Sequence, residues 1–93
     1  MEYEFDEQKS RENMEQRGFD FDFAARIFDH AYIEWEDTRQ NYGEPRFITL
    51  GSIDDEIFVV VYTWRGGRRR IISARRANRK ERDVYRKAQA KEG

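Results

Sequence analysis

Residues 57–62, IFVVVY, form the most apolar run in the chain and set its strongest folding constraint. They lead through Thr63, Trp64 and Arg65 to Gly66-Gly67, and then to a second run from Arg68 to Arg76. Side chains alternate across a strand, so Phe58, Val60, Tyr62 and Trp64 share one face and Ile57, Val59, Val61 and Thr63 the other. Both faces are apolar, which predicts a central strand covered on its two sides. Gly66-Gly67 suits the positive φ angles of a two-residue hairpin loop. The return strand is basic at both ends and apolar at Ile71-Ile72. If it runs regularly, Arg75 shares a face with Ser73 and Ile71, and Arg76 faces the other way.

Tyr3-Glu4-Phe5 alternate and suit a brief edge strand or simple packing on the core. Asp6 is an N-cap for a mostly solvated helix over residues 7–17, whose one strong apolar residue is Met14, and Gly18 is its C-cap glycine. Asp20 caps a second helix over residues 21–28, with Phe21, Ala24, Ala25 and Phe28 as its core stripe and Phe19 and Ala24 as a hydrophobic staple. Residues 31–35 and 46–53 read as strands, and Asp54-Asp55-Glu56 as the turn into the central strand. Asn78 and Glu81 open a last helix through a capping box, Val84 and Tyr85 anchor it, and the chain after Tyr85 is expected to fray. The expectation is an α+β domain spanning residues 1–93, with two N-terminal helices, a four-stranded antiparallel sheet and one C-terminal helix.

Charged residues make up 40% of the chain, a level associated with disorder, but seven Phe, five Tyr and two Trp argue for a folded core. The net charge of −1 conceals a polarity. Thirteen of the 19 acids lie in residues 1–46, and 12 of the 18 Lys and Arg lie in residues 47–93. The basic half suits a polyanion, and equally suits neutralisation by the acidic half. Cysteine is absent, which excludes disulfide and thiolate chemistry. No signal-peptide core or membrane-length apolar run is present, so a cytoplasmic protein without membrane contact is expected.

Four stretches together resemble the BrnT toxins of bacterial and archaeal type II toxin–antitoxin systems. They are Phe5-Asp6 leading to Asn13 and Gly18; residues 21–29; residues 37–46 in the pattern D-x-R-x-x-Y-G-E-x-R; and residues 70–77 with Glu81, Arg82 and Tyr85 beyond them. The resemblance implies a RelE-like fold and ribonuclease activity that inhibits translation. It also implies a BrnA-type ribbon-helix-helix antitoxin as partner, in a 2:2 heterotetramer that reaches operator DNA only through the antitoxin. The chain departs from the family where a Lys-His pair commonly precedes the helix-ending glycine, since Gln16 and Arg17 stand there. The single histidine, His30, reads as a helix-terminus residue.

RNA cleavage by attack of the 2′-OH needs a proton removed, negative charge on phosphorus stabilised, and the leaving oxygen protonated. Arginine suits the middle task, because guanidinium stays charged and pairs bidentately with phosphate. Arg75 is expected as the main phosphate contact, supported by Arg65 and Arg76, with Glu81, Arg82 and Tyr85 as further catalytic candidates. Arg68, Arg79 and Trp64 are candidates for RNA binding. If structural instead, Arg75 would pair with Glu44 or Asp37. Glu81 competes for its own capping box and Tyr85 for a place in the core. No metal or other cofactor is expected, since Asp54-Asp55-Glu56 has no spaced partner ligand. Phe23, Ile27, Trp35 and Trp64 exceed what so small a core can bury and so are expected to leave an interface patch. A non-enzymatic module that binds RNA or protein through the basic half is the alternative.

Overall fold

The computed structural model describes residues 2–92. Tyr3–Phe5 form β1, and Glu7–Arg17 form α1. Asp6 caps α1 by accepting from the Lys9 N–H, and Gly18 ends it at φ 86°. The residues α1 buries are polar, Ser10 and Asn13. Ser10 Oγ accepts from the Phe21 N–H at 2.9 Å, and Asn13 Nδ2 donates to the Phe19 carbonyl at 2.9 Å. The helix is thus attached through the backbone of the next segment, while Met14 remains exposed.

The expected helix over residues 21–28 is shorter. α2 covers Phe21–Ala24, capped by Asp20, and Ala25–Asp29 continue as a 3-10 turn that ends at His30. The tighter winding places Ile27 against the sheet, where it is fully buried. The sheet must carry glycine opposite it, because a Cβ on Gly51 would lie 2.7 Å from the Ile27 Cβ. Ile27 therefore belongs to the core and not to a surface patch.

Four strands follow: β2 (Tyr32–Glu36), β3 (Phe47–Ile53), β4 (Glu56–Arg65) and β5 (Arg68–Arg76). They form an antiparallel meander, and β1 adds a fifth strand parallel to β5, giving the order β1-β5-β4-β3-β2. The sheet is therefore five-stranded and mixed rather than four-stranded and antiparallel. A three-residue strand carries too little pattern to reveal its partner. Its Glu4 meets Arg70 at 2.7 Å across 66 residues of sequence. The β4–β5 hairpin closes through Gly66 and Gly67, both at positive φ, and β4 is interior with Val59 and Val60 buried.

β5 is not regular. Val61 pairs with Ser73 but Tyr62 pairs with Ile71, leaving Ile72 as a bulge. Ile71 consequently joins Ala74 on the face packed by the N-terminal helices, the helix-side face, while Ser73 and Arg75 occupy the other. The expected common face for Arg75 and Ile71 does not exist.

Two cores result. Phe19, Phe21, Ala24, Ile27, Phe58, Val60 and Ile71 pack between the sheet and the N-terminal helices. Leu50, Ile57, Val59, Ala77 and Tyr85 pack beneath α3 (Arg79–Glu92). α3 continues past Tyr85, where fraying is expected from the polar sequence. Its Asn78–Glu81 capping box is formed in both directions, each bond 2.9 Å. No helix among the described residues is long and apolar enough to cross a membrane.

Candidate active site

α3 covers only the turn end of its sheet face. The remainder is a solvent-open groove of about 490 Å³, lined by Trp35, Ile48, Val59, Val61, Ser73, Arg75 and Glu81, with residues 36–39 along its rim. A second concavity lies over the loop 36–45 and shares Glu36, Asp37 and Thr38 with the groove, but it contains neither Arg75 nor Glu81.

Within the groove, Arg75 donates through Nη1 and Nη2 to the two carboxylate oxygens of Glu81, each at 2.7 Å. The expected partners Glu44 and Asp37 are not used. Glu81 also accepts from the Asn78 N–H. The Arg75 hydrogen bonds, reinforced by that N–H, hold the Glu81 carboxyl below its ordinary range despite partial burial. One residue thus starts the helix and aims the guanidinium.

The groove has a second guanidinium, Arg39, which is not among the arginines expected from the sequence. Arg39 donates through Nε and Nη2 to Asp37, each at 2.8 Å. The Asp37 side chain is 2% exposed, whereas that of Arg39 is 75% exposed. The buried carboxylate also accepts from the Arg39 N–H and the Tyr42 hydroxyl, and the Arg39 side chain is the leading cause that keeps its carboxyl far below the usual range. Arg39 lies close enough to Arg75 for its charge to oppose that of Arg75. The signal for it was already in the D-x-R-x-x-Y-G-E-x-R stretch. Asp37 binds Arg39 and Tyr42, Arg46 sits 4.1 Å over the Tyr42 ring, and Glu44 reaches Arg46 and Arg65 at 3.6 Å each. The motif is one connected network, with Gly43 making its turn at φ 77°.

The other candidates lie elsewhere. Arg76 faces the N-terminal helices, where it donates to Glu56 and to the Arg17 carbonyl and covers Phe19 and Phe58. Arg82 donates to the Ala77 carbonyl. Tyr85 is buried, with its hydroxyl donating to the Ala31 carbonyl. Arg65 pairs with Glu44 and Arg68 with Glu2, both at the hairpin end. Arg79 is exposed at the start of α3. Trp64 is on the helix-side face, edge-on to Tyr62, with the Arg69 guanidinium 4.8 Å from its ring. His30 is exposed at the end of the 3-10 turn, outside the groove lining. Among the described residues, no three side chains of metal-ligating type converge.

No curated protein matches the chain. The sequence model of the family described as "Ribonuclease toxin, BrnT, of type II toxin-antitoxin system" matches residues 5–81. That span runs from β1 to Glu81 and so takes in the motif network, the hairpin and the Arg75–Glu81 pair, and the chain belongs to the BrnT family of ribonuclease toxins of type II toxin–antitoxin systems.

Proposed function

We propose that this ribonuclease cuts RNA in the groove beside α3, with Arg75 and Arg39 holding the scissile phosphate. The observation that carries the reading is the pair of guanidinium groups presented by carboxylates on one open face. Asp37 and Glu81 fix the two forks before substrate arrives, so little reorganisation is needed when charge develops on phosphorus. The 2′ oxygen attacks phosphorus while the bond to the 5′ oxygen breaks. Glu81 is the carboxylate placed to accept the 2′-OH proton, once the phosphate replaces it on part of the Arg75 fork. That exchange removes the leading influence that depresses its basicity. The leaving oxygen takes its proton from solvent. The guanidinium pair supplies the charge stabilisation that a metal provides in other nucleases, so the reaction is proposed to be metal-independent.

The partner is a BrnA-type ribbon-helix-helix antitoxin in a 2:2 complex, and the RelE-like affiliation rests on helices preceding an antiparallel meander and a terminal helix. Trp64, 50% exposed on the sheet face opposite the groove, offers apolar surface that an antitoxin would cover.

The test is induced expression with and without the adjacent antitoxin gene, followed by mapping of RNA ends in the parent and in Arg39→Ala, Arg75→Ala and Glu81→Gln. New ends are expected from the parent alone, with cleavage unaffected by chelators and suppressed by the antitoxin. Glu81→Gln should flatten the acidic limb of the pH–rate profile if Glu81 is the base. Full cleavage by Arg75→Ala would refute the site.

A further inference from the structure

We infer that Trp35 is the base-stacking platform of the groove, receiving the nucleobase that neighbours the phosphate held by Arg75. The inference rests on the groove being the cleavage site. Trp35 pairs with Ile48, Ile48 with Val61, and Val61 with Ser73, so these four residues form one transverse row across the sheet. All four line the groove. Three strand spacings separate the ends of the row by roughly 14 Å. Arg75 lies two residues beyond Ser73 on β5 and lines the same groove as Trp35, so the groove has the indole on its β2 side and the guanidinium on its β5 side. Ile48 and Val61 give the groove an apolar floor suited to a base and unsuited to a phosphate.

Comparison of the two exposed tryptophans singles out Trp35. Trp64 already meets the Tyr62 ring edge-on, its centroid 5.6 Å away, and the Arg69 guanidinium lies at 4.8 Å. It is also on the wrong side of the sheet for Arg75. Trp35 meets no aromatic ring or guanidinium among the described residues, and the residue is 44% exposed on an edge strand. Single-stranded RNA is held by stacking of unpaired bases on such rings beside phosphate-binding cations.

The test uses Trp64→Phe as background, so that Trp35 alone fluoresces, and a short 2′-O-methyl oligoribonucleotide that cannot be cut. Binding should quench Trp35 saturably. By anisotropy of the same oligonucleotide carrying a dye, Trp35→Ala should weaken binding about tenfold and Trp35→Phe should recover most of it, and Trp35→Ala should alter the distribution of cut sites on natural RNA. If Arg39→Ala and Arg75→Ala weaken binding but Trp35→Ala does not, stacking is wrong and the groove stands. If none of the three variants changes binding, the groove reading falls and the stacking inference with it. A Trp35→Ala chain that binds and cuts RNA normally but no longer holds the antitoxin would reassign this residue to the protein interface and overturn the inference.

Discussion

Arg75 and Arg76 are adjacent in β5, yet their guanidinium groups have opposite fates. Arg76 lies over Phe19 and Phe58, 5.1 Å and 5.9 Å from their ring centroids, and ties the Arg17 carbonyl to Glu56. Arg69, on the same face, lies among Phe28, Tyr32, Tyr62 and Trp64 and donates to the Tyr32 hydroxyl. On that face arginine extends an aromatic core through its flat cationic surface. On the opposite face Arg39 and Arg75 pair bidentately with Asp37 and Glu81, Arg75 Nη1 also donates to the Arg76 carbonyl, and neither guanidinium lies over a ring among the described residues. Arginine content therefore reveals little by itself. The proposed site rests on a narrower contrast: an arginine lying against rings as against one held by a carboxylate in an open groove.

The largest effect that tests this contrast is on the packed face. Phe58 is almost fully buried and meets Phe19 at 5.0 Å and Phe23 at 5.7 Å edge-on. Phe58→Ala should cost about 3–5 kcal/mol of stability, measured by denaturant unfolding. A loss below about 1 kcal/mol would show that this face is not the structural one.

Arg75→Ala and Arg76→Ala form the sharper pair. Arg75→Ala should slow cleavage about a hundredfold, roughly 3 kcal/mol of activation, with the fold retained. Arg76→Ala should leave cleavage rates intact and lower stability by about 1 kcal/mol, the scale of a half-exposed ion pair. Exchange of these two phenotypes would invert the assignment of faces.

The smallest effects are in the pH dependence, and the two faces respond at opposite ends of the scale. Burial, together with the hydrogen bond to Glu34, pushes the Tyr62 hydroxyl up to about 12 from 10.0, against a lowering influence from Arg69. The folded state thus holds the Tyr62 proton more tightly than the unfolded chain does. That contribution is complete below pH 10 and is lost as pH rises towards 12. Asp37 and Glu81 are held below their ordinary values, chiefly by Arg39 and Arg75. Their contribution is complete above the usual carboxylate range and is lost as pH falls through their depressed folded values. Tyrosine absorbance should accordingly report late ionisation of Tyr62. In acid, the rim around Arg39 should loosen before the helix-side core, as read by amide exchange. Titration of Tyr62 near 10 would show that its face is hydrated.

The site was partly legible in the sequence. Arg75 and Glu81 were both visible, one ending a strand and the other in a capping box, because each belongs to a local pattern. Their bidentate contact was not, since it depends on the turn from β5 into α3. Arg39 lies within the D-x-R-x-x-Y-G-E-x-R stretch, where nothing local distinguishes it from Arg46. Its place in the proposed site comes from Asp37 being buried, and burial depends on what covers a residue rather than on its neighbours in sequence.

Local chemistry determined the hairpin, the helix caps and the central position of β4. Alternation, glycine φ freedom and side-chain oxygen caps act over a few residues, and the sequence states them directly. Tertiary structure alone decided three things. β1 pairs parallel to β5, which brings Glu4 to Arg70. The 3-10 turn closes on Gly51 and buries Ile27. The bulge at Ile72 shifts the β5 alternation, so Ile71 enters the helix-side core while Ser73 and Arg75 face the groove. One unpaired residue reverses the facing of everything beyond it, and only the partner strand determines where that residue falls.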